Sequence, residues 1–401
     1  AAVPLRPAAS PRRGEPAPGP RSSSPGAAHD TRRLLRRSAI TYTRKTHVIR
    51  HSAPRKPLER HSLPARTRSP MANLILHIGS HRTGTTSIQH ALCKSAARLR
   101  GIGVLYPEAG RQSPAHHVLI HSILRDHVKR PANPKAFVEI KPFDELYHQL
   151  ANEIARSRCS TVVISAEDFS NLVRARVDQP VMDKALRFLS LFDDITVLYV
   201  LRHQVPFLES LYRLLLRWPF GATTVSFPDF VDDRLSKDTY LHYARRGDFF
   251  HSICPRARFR YLSFAEASKH GTLVRHFFEQ AGIGAAYENE VHVNESTSRG
   301  GALAMLMWNR GQVPCSRPRG EFVTWALEAF PDRRESLYDE ALLSRVADRF
   351  AASNAELAAR CGFDLNDELD TFRRKHAPRG WDVTADIEER VQAFAAGTVD
   401  G

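Results

Sequence analysis

The nine-residue stretch GSHRTGTTS at residues 79–87 carries the clearest structural signal of the sequence. It follows the apolar run at residues 74–78, which is typical of a buried strand. Gly79 and Gly84 have the spacing of the phosphate-binding loop G-x-x-x-x-G-K-S/T. Glycines let the backbone wrap closely around a phosphate, and a helix that starts there offers free N–H groups. The stretch therefore predicts an anion site between a strand and a helix.

The loop lacks the lysine of the usual phosphate-binding loop. Thr85 occupies the position after Gly84, where a lysine would reach the β- and γ-phosphates of a nucleotide. A triphosphate would lose its main charge partner here. A single 5′-phosphate that carries one further small anionic group suits the loop better, because Arg82 lies inside it. Additional donors are the hydroxyls of Thr83, Thr85, Thr86 and Ser87.

Short apolar runs alternate with longer amphipathic stretches along the chain. Strands are predicted at residues 73–78, 104–106, 161–165, 195–201 and 259–264. Helices are predicted at residues 84–99, 115–128, 143–156, 182–191, 205–218, 272–281 and 301–309, and residues 311–401 are expected to be mainly helical. Strands separated by helices predict an α/β fold with a central parallel sheet flanked by helices. Ligands of such sheets bind beyond the carboxyl ends of the strands, here after Ile78, Ser165 and Leu201.

The charge of the chain is concentrated at its beginning. The net charge is +15, and residues 1–70 hold 16 basic and three acidic side chains. The rest of the chain is therefore nearly neutral, which speaks against a nucleic-acid-binding body. Residues 1–70 also contain 11 of the 25 prolines and are expected to be a disordered basic tail. The tail has the composition of an organelle transit peptide; a plainer interpretation is translated upstream sequence before a natural start at Met71.

The cysteines and the hydropathy of the chain indicate the cellular compartment in which the protein works. The five cysteines are scattered and form no CxxC pair, which is typical of a reducing compartment and argues against a zinc site. No apolar run approaches the ~18 residues that a membrane-spanning helix needs. The sequence shows no signal peptide with a charged region followed by an apolar one. We therefore expect a cytoplasmic protein without a transmembrane segment.

A second loop leads to a family resemblance. Arg202 ends the strand predicted at residues 195–201, and Ser210 follows it by eight positions inside the next helix. Together with Arg82-Thr83-Gly84-Thr85-Thr86 after the first strand, this pair resembles the sulfotransferases that use 3′-phosphoadenosine-5′-phosphosulfate (PAPS) as donor. In that family a loop of the form (Lys/Arg)-(Ser/Thr)-Gly-Thr-(Thr/Ser) binds the 5′-phosphosulfate, and the Arg and Ser bind the 3′-phosphate. The resemblance covers residues 73–309 and implies a P-loop NTPase-like sulfotransferase fold.

The resemblance implies a donor site built from both loops. Arg202 offers a fixed, always-charged fork that suits a phosphate, and Ser210 lies about two helical turns further on. Residues 294–301 resemble the loop that closes over the nucleotide in bacterial members, which implies a contact from Arg299. The donor-binding residues so implied are Ser80, His81, Arg82, Thr83, Gly84, Thr85, Thr86, Ser87, Arg202, Ser210 and Arg299.

The implied reaction is an in-line transfer of a sulfuryl group to an acceptor hydroxyl, expected on a carbohydrate, a glycolipid or a small molecule. Arg82 would be catalytic, because it would stabilise the charge that develops on the leaving nucleotide. No metal is expected, since a sulfuryl group carries less charge than a phosphoryl group. The strand at residues 195–201 also ends in Arg202, where an NTPase has an acid that holds Mg²⁺.

A base must take the proton of the acceptor. The animal branch of the family has Lys-x-His in the middle loop, and the matching positions here hold Ser165 and Glu167. Other branches use Glu, so Glu167 is the first candidate. The alternatives are Asp168, His116 and His117.

Three regions and two competing functions complete the interpretation. Residues 1–70 form the tail, residues 71–310 the sulfotransferase domain, and residues 311–401 a mainly helical extension that packs on it. A kinase or other nucleotide-binding protein on the same fold should carry Lys after Gly84 and an acidic strand end. A non-catalytic protein that binds nucleotides or nucleic acids is the second alternative. The nearly neutral body predicts no stable nucleic-acid partner.

Overall fold

The computed structural model of the protein describes residues 72–112, 114–124, 141–175, 178–218, 222–237, 240–290, 297–313 and 317–398. Several predictions lie outside these residues. They concern the tail at residues 1–70, the start at Met71, the end of the helix predicted at 115–128, the first part of the segment at 294–301, and Cys315.

Five parallel strands form the central sheet of the described residues. In chain order they are β1 (Asn73–His77), β2 (Val104–Leu105), β3 (Thr161–Ser165), β4 (Ile195–Leu201) and β5 (Arg258–Ser263). Their order across the sheet is β2-β3-β1-β4-β5. Strand β1 is central, and its Leu76 pairs with Ile164 on one side and Val197 on the other. The carboxyl ends of β3, β1 and β4 therefore meet at one edge.

Helices cover both faces of this sheet. Up to the end of β5 the described helices of the chain are α1 (Thr85–Lys94), α2 (Ala96–Gly101), α3 (His117–Leu124), α4 (Phe143–Ser157), α5 (Gln179–Leu189), α6 (Gln204–Arg217), α7 (Phe227–Ser236) and α8 (Tyr243–Ile253). Then follow α9 (Phe264–Ser268) and α10 (Leu273–Gln280). Alternate side chains of β1 enter opposite apolar layers: Ile75 packs with α1 and α10, and Leu76 with α3, α5 and α8. A strand buried on both faces is mostly apolar, which is why the sequence pattern located it.

The helix predicted at residues 84–99 is two helices. Ser95 ends α1 and begins α2, and its φ of −83° and ψ of 5° leave the helical region. The Ser95 N–H still bonds to the carbonyl of Ala91, at 2.9 Å, so the chain continues in nearly the same direction. The break therefore changes the local geometry and not the side of the sheet that the segment covers.

The last part of the chain is mostly helical, as predicted. It contains α11 (Arg299–Asn309), α12 (Arg319–Ala329), α13 (Glu340–Cys361), α14 (Asn366–Lys375) and α15 (Ala385–Ala395), with a pair of short parallel strands, β6 (Glu335–Ser336) and β7 (Ala377–Pro378). These helices pack with α6 and α7 in a separate apolar cluster, which includes Leu208, Phe350 and Val391. Helix α6, which follows β4, therefore packs against the carboxyl-terminal helices.

The described residues confirm the predicted fold class: a central parallel sheet, flanking helices and a mostly helical carboxyl-terminal part. Among these residues, no helix has both the length and the apolar character that crossing a membrane would require.

Candidate active site

The loop after β1 is held in a tight curve by its two glycines. A Cβ atom on Gly79 would lie 2.6 Å from Cγ2 of Thr85 and 2.9 Å from Nε2 of His77, so only glycine fits there. Arg82 and Gly84 both have positive φ angles, of 65° and 73°. Gly84 is the N-cap of α1 and has no side chain to bond its first N–H groups. The loop therefore presents the free N–H groups of a helix start at the carboxyl edge of the sheet.

The hydroxyl residues of this loop are mostly buried. Thr83 is fully buried and donates from Oγ1 to the carbonyl of Ser80, at 2.6 Å. Ser80, Thr85 and Ser87 are also buried, whereas Thr86 is half-buried. The hydrogen bond from Thr83 to Ser80 therefore stabilises the curve of the loop from within.

Replacing Gly84 with alanine should lower the free energy of unfolding by about 1–3 kcal/mol, because a non-glycine residue is strained at this positive φ. The new Cβ would also lie 2.1 Å from Cδ2 of Leu273, which must move. Urea unfolding measures the change. Gly101→Ala is the matched control, since Gly101 lies in α2 with no atom within 4 Å of its added Cβ. An equal effect of the two substitutions would contradict the proposed strain.

Two arginines and a serine meet where the ends of β1 and β4 adjoin. Arg82 donates from Nε to Oγ of Ser210 on α6, at 2.8 Å. Arg202 donates from Nη1 to the backbone carbonyl of Arg82, at 3.1 Å. The three residues, which belong to two separate segments of the sequence, thus lie together in the structure.

The two guanidinium groups raise the local positive charge. Burial, together with the positive charges of Arg202 and Arg217, lowers the pKa of Arg82 to about 10. Arg202 lies over the ring of Phe264, at 4.9 Å from its centroid. Its Nε also lies 3.4 Å from Oε1 of Glu368 on α14. Sequence reasoning missed Glu368, because no local pattern links α14 to a strand end more than 160 residues earlier.

The middle loop after β3 places two carboxylates against the first loop. His81 Nδ1 lies 3.5 Å from Oε1 of Glu167, and His81 Nε2 lies 3.5 Å from Oδ1 of Asp168. Gln89 of α1 donates to the other oxygen of Glu167, at 2.7 Å. His81, which the resemblance assigned to binding of the sulfate donor PAPS, therefore connects the two loops.

The contact with His81 shifts the pKa values of these groups. Desolvation acts against a charge on His81, but its contacts with Asp168 and Glu167 raise its pKa to about 10. Desolvation would raise the pKa of Glu167, but the hydrogen bond and charge of His81 lower it to about 2. Glu167 is therefore ionised at neutral pH, and it is a weak proton acceptor as long as His81 stays against it.

The remaining base candidates have different environments. His116 is fully buried; its Nδ1 accepts from the N–H of Ser165, at 3.2 Å, and its Nε2 lies 3.0 Å from the carbonyl oxygen of Pro107. Burial lowers the pKa of His116 to about 4. Both ring nitrogens of His116 thus have backbone partners, and its role as the base stays a prediction. His117, in contrast, lies 3.1 Å from Oδ2 of Asp168 through Nδ1.

A further histidine, His121, joins this group and was missed at the sequence level. Its Nε2 lies 3.1 Å from the same oxygen of Asp168. His117 and His121 are four positions apart on α3, so they share one helix face. That spacing was the available signal, but the position of Asp168 depends on how α3 packs against the middle loop.

Arg299, for which the resemblance implied a contact with the donor, binds the carboxyl-terminal segment. Its guanidinium donates to the carbonyls of Gly380, at 2.7 Å, and Asp382, at 2.9 Å. Its Nη1 lies 3.5 Å from Oε2 of Glu335. These partners anchor the start of α11 to the carboxyl-terminal segment, and a contact from Arg299 to a nucleotide stays a prediction.

No protein-family model matches the chain, and a search of curated proteins gives no significant match. Among solved structures, the chain is similar to a sulfotransferase from Alicyclobacillus acidocaldarius, with 14% identity and a TM-score of 0.43. The match covers 75% of this chain and 98% of that one.

Proposed function

We propose that this protein is a PAPS-dependent sulfotransferase that moves a sulfuryl group to an acceptor hydroxyl, on a carbohydrate, a glycolipid or a small molecule. Residues 71–310 hold the chemistry, and helices α13 and α14 of the carboxyl-terminal part pack against α6. The free thiols of Cys93, Cys159, Cys254 and Cys361 fit a reducing compartment such as the cytoplasm.

The cluster of Arg82, Arg202 and Ser210 carries this proposal. It lies at the carboxyl edge of a parallel sheet, where such folds bind their ligands. Two close guanidinium groups repel one another, and a bound dianion relieves that repulsion. Since Arg82 uses its Nε for Ser210, its two Nη groups can bind a further anionic group. A nucleotide with phosphates at both its 3′ and 5′ positions offers an anion to each part of the cluster.

The loop after β1 receives the 5′-phosphosulfate of the donor. The N–H groups at the start of α1 bind its oxygens, and Thr85 and Thr86 supply hydroxyls beside them. The lysine that a triphosphate needs is replaced by Thr85, which favours PAPS over ATP.

The reaction proceeds by one displacement at sulfur. The acceptor oxygen forms a bond to sulfur as the bond between sulfur and the bridging oxygen breaks, and 3′,5′-bisphosphoadenosine leaves. Arg82 stabilises the negative charge on the bridging oxygen. The proton of the acceptor passes to Glu167, whose basicity rises when the incoming substrate separates it from His81. The alternative bases are Asp168, which follows Glu167 in the chain, and His117, whose Nδ1 lies 3.1 Å from Oδ2 of Asp168.

Calorimetry with 3′,5′-bisphosphoadenosine tests the donor site directly. The wild-type protein should bind this nucleotide more tightly than it binds ATP with Mg²⁺. Arg202→Ala should weaken binding by about 10- to 100-fold, because a charge-assisted hydrogen bond is worth roughly 1.5–3 kcal/mol. The substitution also leaves Glu368 without its cation at the site.

Arg258→Ala is the matched control for this experiment. Arg258 is an exposed arginine at the first position of β5, at the opposite edge of the sheet. Its replacement should leave the affinity unchanged. Absence of binding in the wild type, or equal affinities of Arg202→Ala and Arg258→Ala, would refute the proposed donor site. Tighter binding of ATP with Mg²⁺ would favour a kinase or NTPase instead.

A further inference from the structure

Three side chains outside the donor cluster converge on one point beside the middle loop. They are His117 and His121 of α3 and Asp168 of the 3₁₀ helix Glu167–Ala175. His117 Nδ1 and His121 Nε2 each lie 3.1 Å from Oδ2 of Asp168. One ligand atom from each residue lies within 4.8 Å of the other two. All three side chains are partly buried, so they are ordered and still reachable from solvent.

The other oxygen of Asp168 is already held in place. Asn171 donates from Nδ2 to Oδ1, at 3.0 Å, and His81 Nε2 lies 3.5 Å from the same atom. The carboxylate is therefore oriented by its neighbours so that Oδ2 faces the two histidines. Metal-binding carboxylates and histidines are commonly oriented by such outer contacts, which fix the direction of the ligand atom.

We propose that His117, His121 and Asp168 form a binding site for a divalent transition metal ion of the zinc type. Imidazole nitrogen and carboxylate oxygen are ligands that Zn²⁺ takes at about 2.0–2.2 Å. In a tetrahedron with such bonds, neighbouring ligand atoms lie about 3.3 Å apart, close to the 3.1 Å between each histidine and Asp168. Two histidines four positions apart on a helix are a frequent way to supply two of these ligands.

The ion would join α3 to the middle loop and leave a fourth position for water or an acceptor oxygen. The scattered cysteines argue against a thiolate site, but they do not bear on a site made of histidine and aspartate. The proposed ion is separate from the donor cluster of Arg82, Arg202 and Ser210. With the ion bound, Glu167 stays the base, since Asp168 and His117 are then ligands. The prediction that sulfuryl transfer itself needs no metal therefore stays a prediction, and failure of either proposal leaves the other standing.

The competing explanation is a pair of hydrogen bonds in which both histidines donate to one carboxylate oxygen. The two explanations differ in their response to metal. Full-length protein without an affinity tag, stripped with EDTA, should take up about one equivalent of Zn²⁺ in calorimetry. Co²⁺ in its place should give the visible absorption of a site with nitrogen and oxygen ligands.

Substitutions then locate the site. His121→Ala should weaken Zn²⁺ binding by at least about tenfold, since it removes one of three protein ligands. His251→Ala, an exposed histidine on α8, should leave it unchanged. Asp168→Asn should weaken Zn²⁺ binding as well. Because it keeps the size of the side chain, this variant replaces His121→Ala if the latter fails to fold. Lack of Zn²⁺ uptake by the wild type would overturn the proposal, and so would wild-type affinity in folded His121→Ala and Asp168→Asn proteins.

Discussion

Replacing Arg82 with alanine should lower the rate of sulfuryl transfer by about a thousandfold, because removal of one donor that stabilises a developing oxyanion costs about 10²–10³ in rate. Arg82 is placed for this role by the loop after β1, where its positive φ directs the side chain toward α6. The loss should appear mainly in kcat, since the charge on the bridging oxygen develops only in the transition state.

The measurement is transfer of labelled sulfate from PAPS, screened over glycans, lipids and phenols. Arg82→Lys should retain more activity than Arg82→Ala, since it keeps a positive charge but loses the bond that Nε makes to Ser210. Arg258→Ala should behave as the wild type, because Arg258 lies at the far edge of the sheet. Undiminished transfer by Arg82→Ala would contradict the proposed role of its charge.

Replacing Glu209 with alanine should lower the free energy of unfolding by about 3–5 kcal/mol, the usual cost of leaving a buried charge without its partner. Glu209 is buried on α6 and accepts from Nη2 of Arg213, at 2.7 Å. It also accepts from the backbone N–H of Leu337, at 2.6 Å, and contacts the hydroxyl of Ser336. The substitution would leave the buried Arg213 charge and the Leu337 N–H without this acceptor.

The effect should reach the candidate site, because Ser210 is the next residue of α6. Glu209→Ala should therefore weaken binding of 3′,5′-bisphosphoadenosine as well as stability, and chemical denaturation together with calorimetry measures both. Glu356→Ala is the control: Glu356 is exposed on α13 and pairs with Arg360, so its loss should cost about 1 kcal/mol or less. A similarly small effect of Glu209→Ala would show that α6 does not depend on this contact.

The sequence located the sheet and the loops that surround the site because both have local causes. Strand β4 is apolar at almost every position, as a strand covered on both faces must be. The two glycines of the first loop have a fixed spacing, and the structure shows close contacts at both. The positions of Arg202 and Ser210 relative to β4 follow from the rise of a strand and a helix.

Contacts between distant segments could not be predicted from the sequence. Three features depend on which segments pack together. They are the break at Ser95, the ion pair of Arg202 with Glu368, and the hydrogen bonds of Arg299 to the carbonyls of residues 380 and 382. Arg299 shows the consequence most clearly, since a resemblance in a short loop implied a ligand contact for a side chain that the carboxyl-terminal segment already binds.

The sequence by itself determined the order of strands and helices, the glycine loop and the two arginines at the ends of β1 and β4. Burial patterns and backbone preferences act over about ten residues, so the local sequence is enough to predict them. Only the tertiary structure decided which charged side chains meet: His81 with Glu167 and Asp168, and His121 with Asp168. The partner of a charged group is set by the packing of distant elements, and a local pattern carries no information about it.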